Sequence, residues 1–244
     1  MKKSFYLVFI CTLMACFAFC QNKKPPIAEA VKNDTIKVID TEYREDQFYA
    51  GITYNLLGAK PSGVSQSGFS SGYHFGFIRD FPINQRRNVA IGVGLGVTSN
   101  SYNNTLLISK AGSKLSYNVL NDEDVSYDKN KFTNYAFELP IEFRWRTSTA
   151  TSYDFWRIYT GLKIGYVVYS STKFQSGEGD IQLSGVEDIN RFQYGLTFSA
   201  GYSNISFYIY YGLNKMFKPE AIVSGSQEPV GMNAIKIGLM FYIL

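Results

Sequence analysis

From Gln47 to the end of the chain, apolar and polar residues alternate with a period of two in eight separate runs. The first sets Phe48, Ala50, Ile52, Tyr54 and Leu56 against Gln47, Tyr49, Gly51, Thr53 and Asn55. That period belongs to a β-strand with two unlike faces, and the run matches the roughly 9–11 residues that carry a tilted strand across a bilayer. The second run places Tyr73, Phe75 and Phe77 against Gly72, His74, Gly76 and Asp80. The third sets Val89, Ile91, Val93, Leu95 and Val97 against Ala90, Gly92, Gly94, Gly96 and Thr98, so other side chains must fill the space opposite so small a face.

Run four, 134–146, puts Tyr135, Phe137, Ile141, Phe143 and Trp145 on one face and Glu138, Pro140, Glu142, Arg144 and Arg146 on the other. Pro140 has no N–H to give to a ladder, which predicts a bulge or a distorted pair there. Runs five to eight, 156–168, 191–202, 205–214 and 235–243, repeat the pattern, with Arg157, Lys163, Arg191 and Lys236 on their polar faces. The connections alternate in length. They are long at 58–69, 100–131, 170–190 and 218–229, and short at 82–87, 147–153 and 203–204. Within the second long connection, 106–109 and 115–120 read as extensions of the flanking strands.

Broad aromatic apolar faces, with the charges sharing the other face with Gly and Thr, argue against a soluble β-sandwich, whose outward faces carry charge. The expectation is all-β: a closed antiparallel transmembrane β-barrel of about eight strands over 47–244, with short periplasmic turns and long extracellular loops. Both termini then lie in the periplasm of a Gram-negative outer membrane. Trp145, Trp156 and Tyr202 fall at one rim and Tyr54, Tyr73, Tyr166 and Tyr194 at the other, as two interfacial belts require.

Composition fits this. Aromatic residues make up 16% of the chain, nearly all of them Tyr (19) and Phe (19). Lys2 and Lys3 ahead of the apolar run 5–19 read as a signal peptide over 1–20, cut before Gln21; the alternative is lipidation at Cys16. Residues 21–46, with Pro25-Pro26, read as a flexible periplasmic lead-in. Cys11, Cys16 and Cys20 all lie within 1–20, so a processed chain has neither a disulfide nor a thiolate metal site. Loss of Lys2 and Lys3 takes the formal charge from +4 to +2, no footprint for nucleic acid.

Three stretches carry a family likeness: Phe137-Glu138-Leu139-Pro140-Ile141-Glu142 ahead of Arg144-Trp145-Arg146, the run Tyr159-Thr160-Gly161-Leu162-Lys163-Ile164-Gly165-Tyr166, and the last strand. On these the chain resembles the outer-membrane β-barrel "porin family" proteins, and among them the PorT-like members of Bacteroidota. The resemblance implies an outer-membrane location, a Pro140 that belongs to the family pattern, and a link in some members to type IX secretion. In the last strand, Lys236, Gly238, Phe241 and Ile243 fit the signal read by barrel-assembly machinery, although the chain ends in Leu244 rather than an aromatic residue.

Eight strands enclose a lumen that side chains can fill. Glu138, Glu142, Arg144, Arg157, Lys163, Arg191 and Lys236 are therefore expected to form a paired polar network inside, because an unpaired charge in a dry lumen is costly. That predicts a non-enzymatic structural or accessory barrel, the accessory role being that of a subunit of an envelope complex for secretion or assembly, with outer-membrane lipids and the assembly machinery as its other partners. No cofactor and no metal is expected, with one histidine and only a loop cluster, 122–124, of carboxylates. Two alternatives stand beside it: a small solute channel, and a lipid-modifying enzyme centred on His74, with Ser70 or Ser71 and the Asp80 carboxylate as its partners.

Overall fold

In the computed structural model the described residues are 46–66, 68–112, 114–121, 126–147, 155–177 and 179–243, all within one unit of the chain, Ile39–Leu244. The signal and lipidation readings, the lead-in up to residue 45, the cluster 122–124, most of the turn 147–153 and Leu244 lie outside them.

Eleven strands appear among these residues: β1 (Gln47–Gly58), β2 (Ser71–Pro82), β3 (Val89–Asn103), β4 (Leu106–Ala111), β5 (Lys114–Val119), β6 (Tyr127–Arg146), β7 (Trp156–Ser176), β8 (Gly179–Ser184), β9 (Phe192–Tyr202), β10 (Ile205–Gly212) and β11 (Asn233–Ile243). Eight of them close a barrel in the order β6-β3-β2-β1-β11-β10-β9-β7, with β7 returning to β6, and every pairing is antiparallel. These eight coincide with the eight alternating runs. Closure leaves no sheet edge within the wall, which is the condition for a β-structure to sit in lipid.

Alternation decides what faces where. On β1, Gln47, Tyr49, Thr53 and Asn55 are buried while Phe48, Ile52 and Tyr54 are exposed. The same holds around the wall, where Phe75, Leu95, Phe137, Phe198 and Phe207 all stand in the open. A water-soluble monomer does not tolerate a continuous apolar girdle of that extent. Trp156 stacks edge-on with Tyr202 at the short-turn rim (5.3 Å between rings), and Tyr135 lies beside Tyr169 toward the long-loop rim (5.9 Å).

The short turns are tight. Tyr202 and Ile205 pair directly, so Ser203 and Asn204 make a two-residue hairpin, with Ser203 at φ +52° as such turns demand. Pro140 causes no bulge. It sits in register opposite Lys163; on its other side the β3–β6 pairing lapses at Gly94–Pro140 and Leu95–Leu139 and resumes in the same register, so the pair there is distorted, as the missing N–H predicts. A bulge lies higher: the β6–β7 register shifts between Tyr135 and Ala136, leaving Val168 as an extra residue so that Val168 and Tyr169 both face outward.

β6 and β7 run to 20 and 21 residues, about twice a membrane crossing, and project beyond the girdle. The long connections fold against this projection. Segments 106–109 and 115–120 do not extend the barrel strands; they belong to a separate hairpin of β4 and β5. The hairpin is tied to the β10–β11 connection by a parallel bridge from Tyr117 to Val223, and β8 adds to the free upper edge of β7. Leu106, Ile108, Tyr117, Val186, Phe217 and Val223 are buried together in this cap.

Candidate functional site

The inward face fills the barrel with polar side chains stacked in layers. In the middle layer Glu138 of β6 faces Lys163 of β7, with Nζ 3.1 Å from Oε2, and Lys236 of β11, with Nζ 3.7 Å from Oε1. His74 of β2 completes the cluster, its Nδ1 3.3 Å from the same Oε2. Both ring nitrogens are occupied: Nε2 lies 3.2 Å from the Thr53 hydroxyl and Nδ1 3.1 Å from that of Thr98. One carboxylate thus holds three basic groups from three other strands.

The layer nearer the short turns is built on Asp80 of β2, which is fully buried. Its two oxygens accept from Arg144 (3.0 Å) and Arg146 (2.7 Å), and Arg144 also donates to Gln47 (2.7 Å). Glu142 approaches Arg144 Nε at 3.4 Å. The Asp80 backbone N–H in turn donates to Asp46. Arg144 belongs to β6 and Asp80 to β2, with β3 between them. The guanidinium crosses over Gly92 of β3, where a Cβ would stand 2.7 Å from Arg144 Cδ. The small face of β3 is filled in this way along its length: Ile78 packs over Gly94, and the Tyr49 ring lies over Gly96 and Gly76.

Among the described residues, five buried cations, Arg144, Arg146, Arg157, Lys163 and Lys236, share the lumen with three buried carboxylates, Asp80, Glu138 and Glu142. The surplus positive charge meets aromatic faces. Arg144 lies 4.2 Å from the centre of the Tyr159 ring, Lys163 4.9 Å from Tyr208 and Lys236 5.0 Å from Tyr210. A desolvated cation over a ring gains about 2 kcal/mol.

Six of the seven sequence-derived network residues are therefore buried in the lumen. Glu138, Lys163 and Lys236 come together in one cluster, and Glu142 and Arg144 in another. Arg157 is buried, but among the described residues it meets the faces of Phe155 (4.6 Å) and Tyr242 (5.3 Å) instead of a carboxylate. Arg191 is outside the network. It is exposed just before β9 begins, where its carbonyl accepts from the Val167 N–H. The sequence reading left Asp80 and Arg146 out of the network; their parity on β2 and β6 was the signal that places them inside. Of the last-strand residues, Lys236 and Gly238 turn inward, while Ile243 is exposed on the outer wall and Phe241 is half-buried on that side.

The residues of the enzyme alternative are not brought together. Asp80 is six positions along β2 from His74, roughly 20 Å, and is engaged by two arginines. Ser70 donates no bond toward His74; its hydroxyl accepts from the Asn103 N–H. Among the described residues no group of three or more His, Cys, Asp or Glu is placed to hold a metal ion.

Above the lumen the cap closes the same axis. Phe217 packs on Phe132 (5.5 Å) and on Tyr117 (6.1 Å), and Phe132 on Tyr102 (6.3 Å). The four long connections are linked to one another. Ser62 donates to Glu228 from its backbone N–H (2.8 Å) and hydroxyl (3.0 Å), Tyr117 donates to Asp188 (2.9 Å), and the Ser65 N–H donates to the Thr105 hydroxyl (2.9 Å). The hydrogen bonds from Ser62 hold the exposed Glu228 carboxyl below its usual range.

No curated protein matches the chain. Among solved structures, a similar one is Ail, the attachment invasion locus protein of Yersinia pestis, at 12% identity and a TM-score of 0.31, covering 81% of this chain and 97% of that one. The family model of the outer membrane protein beta-barrel domain matches residues 19–218, from ahead of β1 through β10, and leaves β11 beyond its end. With a closed wall, an apolar girdle and that match over most of its length, the chain belongs to the outer membrane protein β-barrel domain family and is an outer-membrane protein.

Proposed function

We propose that this barrel is a sealed, non-enzymatic component of the outer membrane, structural or accessory to an envelope complex, that works through its loop cap and its outer wall instead of through its lumen. The observation that carries this is the filled axis: the Asp80 and Glu138 layers and the apolar cap lie one above another. A solute would have to break buried ion pairs to pass, each costing about 3–5 kcal/mol to disrupt. Catalysis at His74 finds no support, since the ring is buried and both its nitrogens are engaged.

In this reading the cap lies outside the cell and both termini lie in the periplasm, in keeping with the short turns at one end and the long connections at the other. The cap is a folded surface, which suits recognition of a partner better than a set of mobile loops. The PorT-like resemblance makes a secretion or assembly complex the partner to seek, and 21–46 a second point of contact. The β11 residues Lys236, Gly238, Phe241 and Ile243 serve insertion by the assembly machinery.

Two measurements test this. In planar bilayers the purified protein should give no unit conductance, and discrete ohmic steps would establish a channel in its place. Gentle extraction from its native membrane should bring down a stoichiometric envelope complex. A monodisperse monomer without partners would overturn the accessory role while leaving the sealed barrel standing.

A further inference from the structure

The outer wall carries one departure from the girdle. Where β6 and β7 rise past the aromatic rim, their outward positions turn basic: Lys129 and Lys131 on β6, and Lys173 on β7. Lys131 stands directly opposite Lys173 in the ladder. Like charges placed directly opposite each other destabilise a sheet, and among the described residues neither lysine has a carboxylate partner. Partial burial, with Lys129 close by, pushes the Lys131 ammonium below its usual range. An anion between the two chains would remove both penalties.

Below the lysines the wall is lined by hydroxyls. Thr133 lies opposite Ser101 on one side and Ser171 on the other. These residues and the lysines bound a groove of about 240 Å³ that reaches down to Tyr73 and Tyr135. A second groove, of about 390 Å³, begins at the same two tyrosines and continues down the wall between Phe75, Val97, Phe137 and Val168. Val168 is the extra residue of the β6–β7 bulge, so the irregularity in the ladder supplies one side of this lower groove. Cations, then hydroxyls, then an apolar channel follow one another along a single stripe of β2, β3, β6 and β7.

That order is the order of groups in a membrane lipid. Tyrosines mark the interface, and Lys131 stands four residues beyond Tyr135, about 13 Å along the strand and roughly 10 Å along the membrane normal once the tilt is counted. A lysine stem reaching back over that distance puts its ammonium at headgroup height. We propose that this stripe is a seat for one phosphorylated lipid of the surrounding leaflet, with its phosphate between Lys131 and Lys173, its polar backbone on the Thr133 row and an acyl chain in the groove beside Val168. A soluble anion would have no use for the lower groove, and an uncharged lipid none for the lysines. The seat does not depend on what the cap binds.

The test is native mass spectrometry of the full-length protein in detergent. The probes are diphosphoryl lipid A, the same lipid stripped of its phosphates, and inorganic phosphate. The phosphorylated lipid should be retained as a one-to-one adduct, and Lys131→Gln/Lys173→Gln should weaken it by about tenfold or more, as expected for the loss of charge-assisted contacts. The pair Lys110→Gln/Lys114→Gln, in the cap hairpin, should bind as the native chain does. Equal retention of the stripped lipid would show that phosphate is not recognised, and would overturn the proposal. Retention of inorganic phosphate as strong as that of the lipid would reduce the stripe to an anion site and overturn the lipid reading. The comparison of the two lipids on the native chain needs no variant, so it decides the matter even if the double substitution perturbs folding.

Discussion

The barrel lumen and the loop cap are both filled interiors, yet one is filled with ion pairs and the other with hydrocarbon. The contrast runs along single strands. On β6 the inward residues are Phe132 near the cap, then Asn134, and then Glu138, Glu142 and Arg144 farther down, all at even positions of one strand. The backbone does not change; the medium outside it does. Where water surrounds the strand, apolar groups go inward to escape it. Where lipid surrounds it, apolar groups stay outside at no cost, and polar groups have only the lumen in which to find partners. Which residues count as core is therefore set by height on the barrel as much as by parity.

Breaking the lumen should produce the largest effect. Glu138→Ala leaves Lys163 and Lys236 buried without their carboxylate, so the barrel should lose about 3–5 kcal/mol of stability. Urea titration of the protein in detergent, followed by the gel mobility of unheated samples, reads this directly. Replacing the set, Glu138→Leu with Lys163→Met and Lys236→Leu, should recover most of the loss, because it removes the charges together. If the triple variant is as unstable as the single one, the cluster contributes more than mutual neutralisation.

In the cap the matching cut is Phe217→Ala, which removes the ring between Phe132 and Tyr117. A buried Phe→Ala change costs about 3–5 kcal/mol locally. Here the cap alone should loosen, so limited proteolysis should cut the long connections sooner while the urea midpoint of the barrel stays within error. A fall in both would mean that the two interiors fold as one unit, and the contrast between them would lose its energetic content.

Much of this was legible in the sequence, because a period of two survives any arrangement of neighbours. All eight wall strands and the polarity of their faces followed from it. Partner choice did not. Arg144 pairs with Asp80 across an intervening strand, and only the strand order β6-β3-β2 reveals that Gly92 leaves a path between them. Arg191 has the right parity and the wrong height: it precedes β9 and so stands in the open. The cap was misread for a related reason. Short apolar stretches such as 106–108 look the same whether they prolong a wall strand or fold into a hairpin of their own.

A smaller effect tests how tightly the lumen is filled. Gly96→Val forces a side chain into the space taken by the Tyr49 ring, and overpacking of this kind costs about 1–3 kcal/mol. The companion change Tyr49→Ala should relieve part of that cost, and a double-mutant cycle on urea midpoints would measure the coupling. Additive losses would mean that the ring and the glycine face are not complementary.

The smallest effect separates the regions by pH. Tyr117 is buried in the cap and donates to Asp188, and both burial and that carboxylate push its phenol above the ordinary value. A group whose pKa is raised on folding contributes stability that is fully present below its unfolded value, about 10 for tyrosine, and is lost as pH rises through the folded value. Above about pH 10 the unfolded cap therefore gains by ionising first, and proteolysis of the long connections should accelerate with pH. Tyr117→Phe should cost about 1 kcal/mol at neutral pH for the lost hydrogen bond, and it should remove part of the alkaline acceleration. Other tyrosines and lysines titrate in the same range, so the reading is the difference between the native chain and the variant. Identical pH profiles would mean that Tyr117 gains access to water in the closed cap, and that the cap is less dry than its packing implies.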